Sequence, residues 1–261
     1  MYSNGNVLGE SLAAGTSGSK ILGEVWAVGK ISGINGDSSG GVYITGDAHA
    51  NQVIRCRVLG SVEAPAPPVA CAHDGPYKVG EAPVVVPLAA VDVEFWKQQA
   101  MQAAVWQGDC VVGGGGGSDC AGADKTLGPV KIGGNLTVES GQQMMITGPI
   151  WVEGDVEIDS NVEIKVADSL GSEGVVIVVD YPQDRLTRGK IETSSNVTFL
   201  QTATYGPAVW VSTNMGDNCS ADPAVKVSSN TATVVFSAPD GCIFFRANSF
   251  VRGVLAKKVH L

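Results

Sequence analysis

Charge is scarce in this sequence. Asp, Glu, Lys and Arg make up 16% of its 261 residues, where about a quarter is usual. Basic residues cluster no further than Lys257-Lys258, so the chain has no phosphate-binding patch and nucleic acid is excluded as a partner. The net charge of −9 fits solubility outside the cell, or cation binding. No apolar run approaches the about 20 residues that a membrane-spanning helix needs. No basic stretch followed by an apolar one opens the chain. Met1 leads at once into the turn-like "YSNGN". The expectation is a mature or truncated form whose export signal or anchor has been removed. Catalytic signatures are missing too: there is no G-x-S-x-G, no H-E-x-x-H and no P-loop. "GGGGG" at Gly113–Gly117 lacks the strand-to-helix setting and the following Lys-Ser/Thr of a phosphate loop, so it reads as a flexible loop.

Six cysteines are present: Cys56, Cys71, Cys110, Cys120, Cys219 and Cys242. None form C-x-x-C, and His49, His73 and His260 are scattered, so no zinc site is expected. Disulfides are expected instead, which implies an oxidising compartment. Cys56–Cys71, Cys110–Cys120 and Cys219–Cys242 are the local pairs, but six cysteines leave fifteen pairings open.

Glycine is abundant, at 34 residues, and one short phrase recurs around it. An aliphatic residue is followed by Gly, a polar corner residue and a short alternating strand. It reads "LGEVWA" at Leu22–Ala27, "ITGDAHA" at Ile44–Ala50, "VLGSVEA" at Val58–Ala64 and "IGGNLTV" at Ile132–Val138. "ITGPIWV" at Ile146–Val152 and "VEGDVEI" at Val152–Ile158 continue it. A second phrase places Ser-Asn or a relative before a strand: "DSNVEI", "SSNVTF", "SSNTATV" and "ANSFVRG". A strand of three to five residues cannot bury its own apolar face, but stacked on copies of itself it can, with hydrogen bonds running from coil to coil. Sharp corners call for Gly or Asn, which tolerate positive φ. The spacing between phrases is irregular, which suits a right-handed parallel β-helix and not a hexapeptide helix. The expected fold is therefore all-β, a right-handed parallel β-helix with one α-helix inserted or capping. An antiparallel sandwich is the competing architecture.

The helix is expected in "PLAAVDVEFWKQQAMQAAVWQG", at about residues 88–107. Val91, Phe95, Trp96, Ala100, Ala103 and Trp106 give an apolar stripe, with Asp92 at its start and Gly108 at its end. A Pro-rich stretch before it reads as an extended arm. The expected layout is N-terminal coils over 1–64, arm, helix and Gly-rich loop over 65–128, and the main coils over 129–261, in one structural domain. The helix would cover an open end or flank of the solenoid.

"YSNGNV", "ILGEVWAVGKI", "VYITGDAHA", "FWKQQA" before the Gly-rich stretch, and "KIGGNLTV…ITGPIWVEGDVEI…SNVEI" with "VVFSAPDGCIFF" after it together resemble PilX-like, prepilin-associated bacterial surface proteins with a β-helical ectodomain. The I-x-G-x-V phrase is also similar to that of the bactofilins, polymer-forming β-helices. The first resemblance implies a cell-surface or pilus-tip location and no established enzyme activity; the second implies a filament scaffold. The chain differs from bactofilins in its Pro-rich arm, its helix and its cysteines.

Three sets of candidate site residues emerge. Asp155, Glu157 and Asp159, with Glu153, Glu163 and Glu192 near by, form an acidic row; two carboxylates at a defined separation are what glycoside hydrolysis needs. Lys165, Arg185, Arg188 and Lys190 are candidate bases for a lyase. Trp26, Trp151 and Trp210 each fall in a strand and, if outward, offer stacking platforms for sugars. "NMGDNCSAD" presents Asp217, Asn218 and Asp222 as oxygen donors for calcium, though not at EF-hand spacing; no other cofactor is expected. His49 is expected to face outward, and His73 lies beside Asp74. The first reading is a non-enzymatic extracellular or cell-surface protein, pilus-associated or adhesin-like, whose partner is a glycan, a surface or another pilus subunit, with no membrane contact of its own. The alternative is a carbohydrate-active enzyme, a polysaccharide lyase or glycoside hydrolase, using the acidic face.

Overall fold

A computed structural model of the chain describes residues 1–3, 5–9, 20–21, 23–33, 42–81, 83, 91–113, 119–228, 231–246 and 249–261. Asn4, Leu22, residues 88–90 of the expected helix, Gly114–Gly117 of the glycine loop, and Ser229, Asn230, Ala247 and Asn248 of the Ser-Asn phrases lie outside the described residues. The chain divides into two compact units, Met1–Leu88 with Val254–Leu261, and Ala89–Gly253.

The second unit is a parallel β-helix. Its coils contribute to three parallel sheets. One stacks Val130–Ile132, Ile150–Val152, Val175–Val179 and Ala208–Ser212. Another stacks Cys110–Val112, Leu136–Val138, Val156–Ile158, Ile191–Thr193 and Val225–Val227. The third stacks Thr126–Leu127, Gln143–Ile146, Glu163–Val166 and Thr198–Leu200. Among the described residues the strand pairings are parallel except for one small ribbon, Asp217–Asn218 against Asp222–Pro223.

Alternation within each three-residue strand sends the outer two side chains inward, and in-register stacking turns them into columns. Cys110, Leu136, Val156, Ile191, Val225 and Ile243 face one another coil by coil, and each is buried. Full burial of such an aliphatic side chain stabilises by about 1.5–3 kcal/mol. No single coil could supply a core; the column does.

The recurring Gly-polar corner has a steric and a polar cause. A Cβ on Gly134 would lie 2.6 Å from the carbonyl carbon of Gly108 and 2.7 Å from the amide nitrogen of Asp109. A Cβ on Gly154 would meet the carbonyl oxygen of Gly134 at 2.7 Å. The residue after each glycine then reaches to the next coil. Asp109 Oδ1 accepts the Asn135 N–H at 2.7 Å, Asn135 Oδ1 accepts that of Asp155 at 2.9 Å, and Asp155 Oδ1 accepts that of Lys190 at 2.9 Å. The corner amides, which the strands leave unpaired, are thereby satisfied. The Ser-Asn phrase marks another corner, where Gly141, Asn161 and Asn196 all have positive φ and Asn196 Nδ2 donates to Asn161 Oδ1 at 3.1 Å.

The first unit repeats the plan. Val25–Gly33, Ala48–Ile54, Val62–Ala64 and Tyr77–Val79 stack in parallel, and so do Lys20–Ile21, Val42–Ile44, Cys56–Val58 and Ala72–His73. Gly23, Gly46, Gly60 and Gly75 form its corner column, in which a Cβ on any of the last three would strike the backbone of the glycine before it. The coils run on to Val79, past the boundary expected at residue 64. The start of the Pro-rich stretch is thus a coil and not a free arm. Residues 2–3 and 7–9 pair with Val25–Gly33 on one side and with the chain's last strand, from Leu255 to His260, on the other.

The three disulfides join the local pairs Cys56–Cys71, Cys110–Cys120 and Cys219–Cys242, with Cα separations of 4.4, 5.4 and 5.4 Å. Arg57 pairs with Ala72, so Cys56–Cys71 bridges equivalent places in adjacent coils. Cys219–Cys242 ties the small ribbon to the strand Ala232–Phe245. Three disulfides fit an oxidising environment outside the cell. No helix among the described residues is long and apolar enough to cross a membrane.

Gly134→Ala is expected to lower stability by about 2–3 kcal/mol, because the added methyl group meets backbone that cannot yield. Neighbouring Gly133, whose Cβ would find nothing nearer than 3.5 Å, should accept Ala within about 0.5 kcal/mol. Urea unfolding of the two variants checks this; equal losses would contradict the corner column.

Candidate functional site

The outward-facing rows decide which residues are available for chemistry. In the second unit Lys131, Trp151, Val178 and Val211 are successive outward residues. The helix α1, Val93–Met101, lies over them. Asp92 caps it by accepting the Phe95 N–H at 2.9 Å. At nine residues it is too short to hold alone in water. Val91, Val93, Trp96 and Ala100 pack on Trp151, Val176, Val178 and Val211. It is shorter than the stretch expected over 88–107, since Val105–Trp106 already pairs as a strand with Lys131–Ile132.

Beneath α1 is a buried ionic cluster. Asp180 is fully buried. Its carboxylate accepts from Lys97 Nζ at 2.9 Å, Arg185 Nε at 2.8 Å and Thr213 Oγ1 at 2.5 Å. Its backbone carbonyl accepts Trp151 Nε1–H at 3.2 Å. Glu94 adds a second carboxylate to Lys97 at 2.9 Å. Burial alone would raise the Asp180 pKa; the hydrogen bonds from Arg185, Thr213 and Lys97 and the Lys97 charge reverse this and hold it below its ordinary value. Burial pulls Lys97 down, but Asp180 and Glu94 outweigh it and raise its pKa. Sequence reading passed over Asp180. Its signal was "VVIVVD" at Val175–Asp180: five apolar residues in one strand mean that both faces are covered, and the acid ending the run sits under the cover.

Trp26, Trp151 and Trp210 are not a shared platform. Trp210 points inward, fully buried, edge-on to Phe199 at 5.8 Å. Trp151 points outward but is roofed by α1, with Lys97 and Lys131 ammonium groups 4.6 and 4.2 Å from its ring centre. Trp26 alone of the three is open, at 39% exposure.

The acidic row is also divided. Ile150–Val152 and Val156–Ile158 are separate strands, so alternation does not run through the corner and Glu153, Asp155, Glu157 and Asp159 do not share a face. Asp155 holds the corner amide of Lys190, and Glu153 pairs with Lys131 at 3.0 Å. Glu157 is outward and does face Glu192 one coil on, with Lys226 on the following coil paired to Glu192. Asp159 lies at the turn beyond the strand, half-buried. The candidate bases have partners of their own: Lys165 with Asp168, Arg185 with Asp180 and Lys190 with Asp222, while Arg188 lies over the Tyr181 ring.

Asp217, Asn218 and Asp222 fall in the small ribbon. Asn218 Oδ1 accepts the Ala221 N–H at 3.3 Å, and Asp222 pairs with Lys190 at 2.6 Å.

A chemically varied outward row lies in the first unit. Trp26, His49, Glu63 and Lys78 occupy one outward row, each the register partner of the next. Glu24 and Asp47 occupy the corner row beside them, each after a glycine. The Trp26 and His49 rings stack with centres 3.8 Å apart and planes 7° apart. His49 Nε2 is 3.3 Å from Glu24 Oε1, and its Nδ1 is 3.2 Å from Glu63 Oε2. The Ser61 N–H donated to Asp47 at 2.6 Å is the main cause holding the Asp47 carboxyl below its ordinary pKa, with His49 and Lys78 adding to it. His49 is outward, as its place in the strand phrase predicts. His73 instead turns its Nδ1 to the Gly75 carbonyl at 2.7 Å, leaving Asp74 to Arg57.

No family model matches the chain, and no curated protein or solved structure matches it either.

Asp180→Asn should destabilise the protein by about 3–5 kcal/mol at pH 7, because it leaves Lys97 buried opposite a neutral amide. The pH dependence follows from the two shifts. The Asp180 contribution is complete above its unfolded value, about 3.9, and disappears as pH falls through its lower folded value. The Lys97 contribution is complete below about 10.4 and disappears as pH rises through its higher folded value. Chemical unfolding across pH, parent against Asp180→Asn, checks both; a variant that keeps the parent's stability would contradict the assignment.

Proposed function

We propose that this chain is a non-enzymatic extracellular or cell-surface β-helical protein, adhesin-like or pilus-associated, and that it binds a glycan through the outward row of its first unit. The observation that carries the reading is Trp26, a half-open indole with one face stacked on His49, on a row that coil stacking continues through Glu63 and Lys78. An aromatic face takes up the apolar side of a sugar ring, and flanking carboxylates accept its hydroxyls. The three disulfides and the net charge of −9 support a role outside the cell. The occupation of Asp155 by a corner amide weighs against the enzymatic alternative on the acidic row.

A glycan-array screen of the whole chain tests this. Saturable binding to a defined group of glycans is expected, weakened about tenfold, or about 1.4 kcal/mol, by Trp26→Ala. Binding indifferent to Trp26→Ala would contradict the site. Steady depolymerisation of a polysaccharide, lost in Glu157→Gln, would replace the reading with the carbohydrate-active enzyme.

A further inference from the structure

The row that carries Trp26 also assembles a donor set that no stretch of sequence contains. Glu24, Asp47 and His49 come from two successive coils, and one donor atom from each lies within 4.8 Å of the others. Donors on a zinc-like ion, bound at about 2.0–2.2 Å, sit about 3–4 Å apart. Glu24 is exposed, so its side chain can close the remaining distance by rotation.

The surroundings of His49 suit it to the part of a ligand. Both ring nitrogens face carboxylate oxygens, Nε2 toward Glu24 and Nδ1 toward Glu63. A neutral imidazole carries one N–H. With that N–H on Nδ1 the ring turns its Nε2 lone pair toward Glu24, the place where a cation can stand in for a second proton between imidazole and carboxylate. Nδ1 is sealed from solvent, and its contact with Glu63 lacks the alignment of a hydrogen bond. Nε2 faces the Glu24 carboxylate. A carboxylate on the Nδ1 side of the ring is placed to orient a metal-bound histidine once rotation of the half-buried Glu63 side chain aligns the contact. The stacked Trp26 ring fixes the imidazole plane.

We propose that Glu24, Asp47 and His49 bind one divalent first-row transition-metal ion of the zinc type, with Glu63 orienting His49. Two carboxylates and a neutral imidazole balance a double positive charge. The imidazole donor selects such an ion over calcium, which takes oxygen ligands. Asp47 keeps one oxygen for the Ser61 N–H and offers the other, so coordination does not undo the corner. The inference rests on this geometry and not on glycan binding.

Titration of the tag-free chain with Zn²⁺ at pH 7.5, followed by calorimetry, tests it. One ion per chain is expected. His49→Ala should abolish binding, Glu24→Gln and Asp47→Asn should each weaken it at least about tenfold, and Glu63→Gln should weaken it about 10–100-fold. Cu²⁺ should quench part of the tryptophan fluorescence, and that part should be missing in Trp26→Phe. Failure of the parent chain to bind Zn²⁺ saturably, or binding unchanged in His49→Ala, overturns the proposal. Should His49→Ala not fold, Glu24→Gln decides the matter, since the exposed isosteric change leaves the coil intact; unchanged affinity there overturns the proposal as well.

Discussion

The whole architecture depends on how closely one corner can sit on the next. At the Gly-polar corner the backbones of neighbouring coils approach until no Cβ fits between them, as at Gly134 over Gly108 and Gly154 over Gly134. That approach brings the following Asp or Asn within reach of the next corner amide, giving the chain of bonds from Asp109 through Asn135 and Asp155 to Lys190. Sterics set the spacing and the side-chain acceptor sets the register. Once register is set, the buried columns and the outward rows follow, because alternation leaves a three-residue strand no other way to place its side chains.

An outward row is thus a scaffold on which covering or exposing a residue is the main variable. Trp26 and Trp151 hold the same place in the repeat phrase and both point away from the core. In the second unit α1 closes over Trp151, and its attachment is directed by Asp180, a buried charge that accepts from three side chains. Such a cluster adds little net stability compared with apolar packing, but it fixes where a short helix must lie. In the first unit the Trp26 row stays exposed, with carboxylates and an imidazole set at coil intervals beside it. The same stacking that makes a core from isolated aliphatic residues brings Glu24 of one coil against Asp47 and His49 of the next.

Much of this was legible in the sequence. The I-x-G-x-V phrase announced parallel coils, since Gly at each corner with inward aliphatic residues between has few other uses, and the local cysteine pairs are the ones that form. The helix was legible in kind but not in length, because strand pairing of Val105–Trp106 took over its expected end. Misreadings arose where a residue's partner lies one coil away. Asp155 reads as an acid on a wall, yet it is a corner acceptor. Trp151 reads as a platform, yet it is under a roof. His49 reads as isolated, yet its neighbours across the stack are acids. Strand periodicity tells which way a side chain points. It does not tell what the next coil, or a helix from elsewhere, places against it.

Amide hydrogen exchange at Asp155 tests the corner most directly. This N–H has no backbone acceptor in its strand and is bonded to the Asn135 side chain. The account predicts that it exchanges as slowly as the core strand amides, and that Asn135→Ala speeds its exchange while leaving the amides of Val175–Val179 protected. Fast exchange in the parent protein, or slow exchange that survives Asn135→Ala, would contradict it.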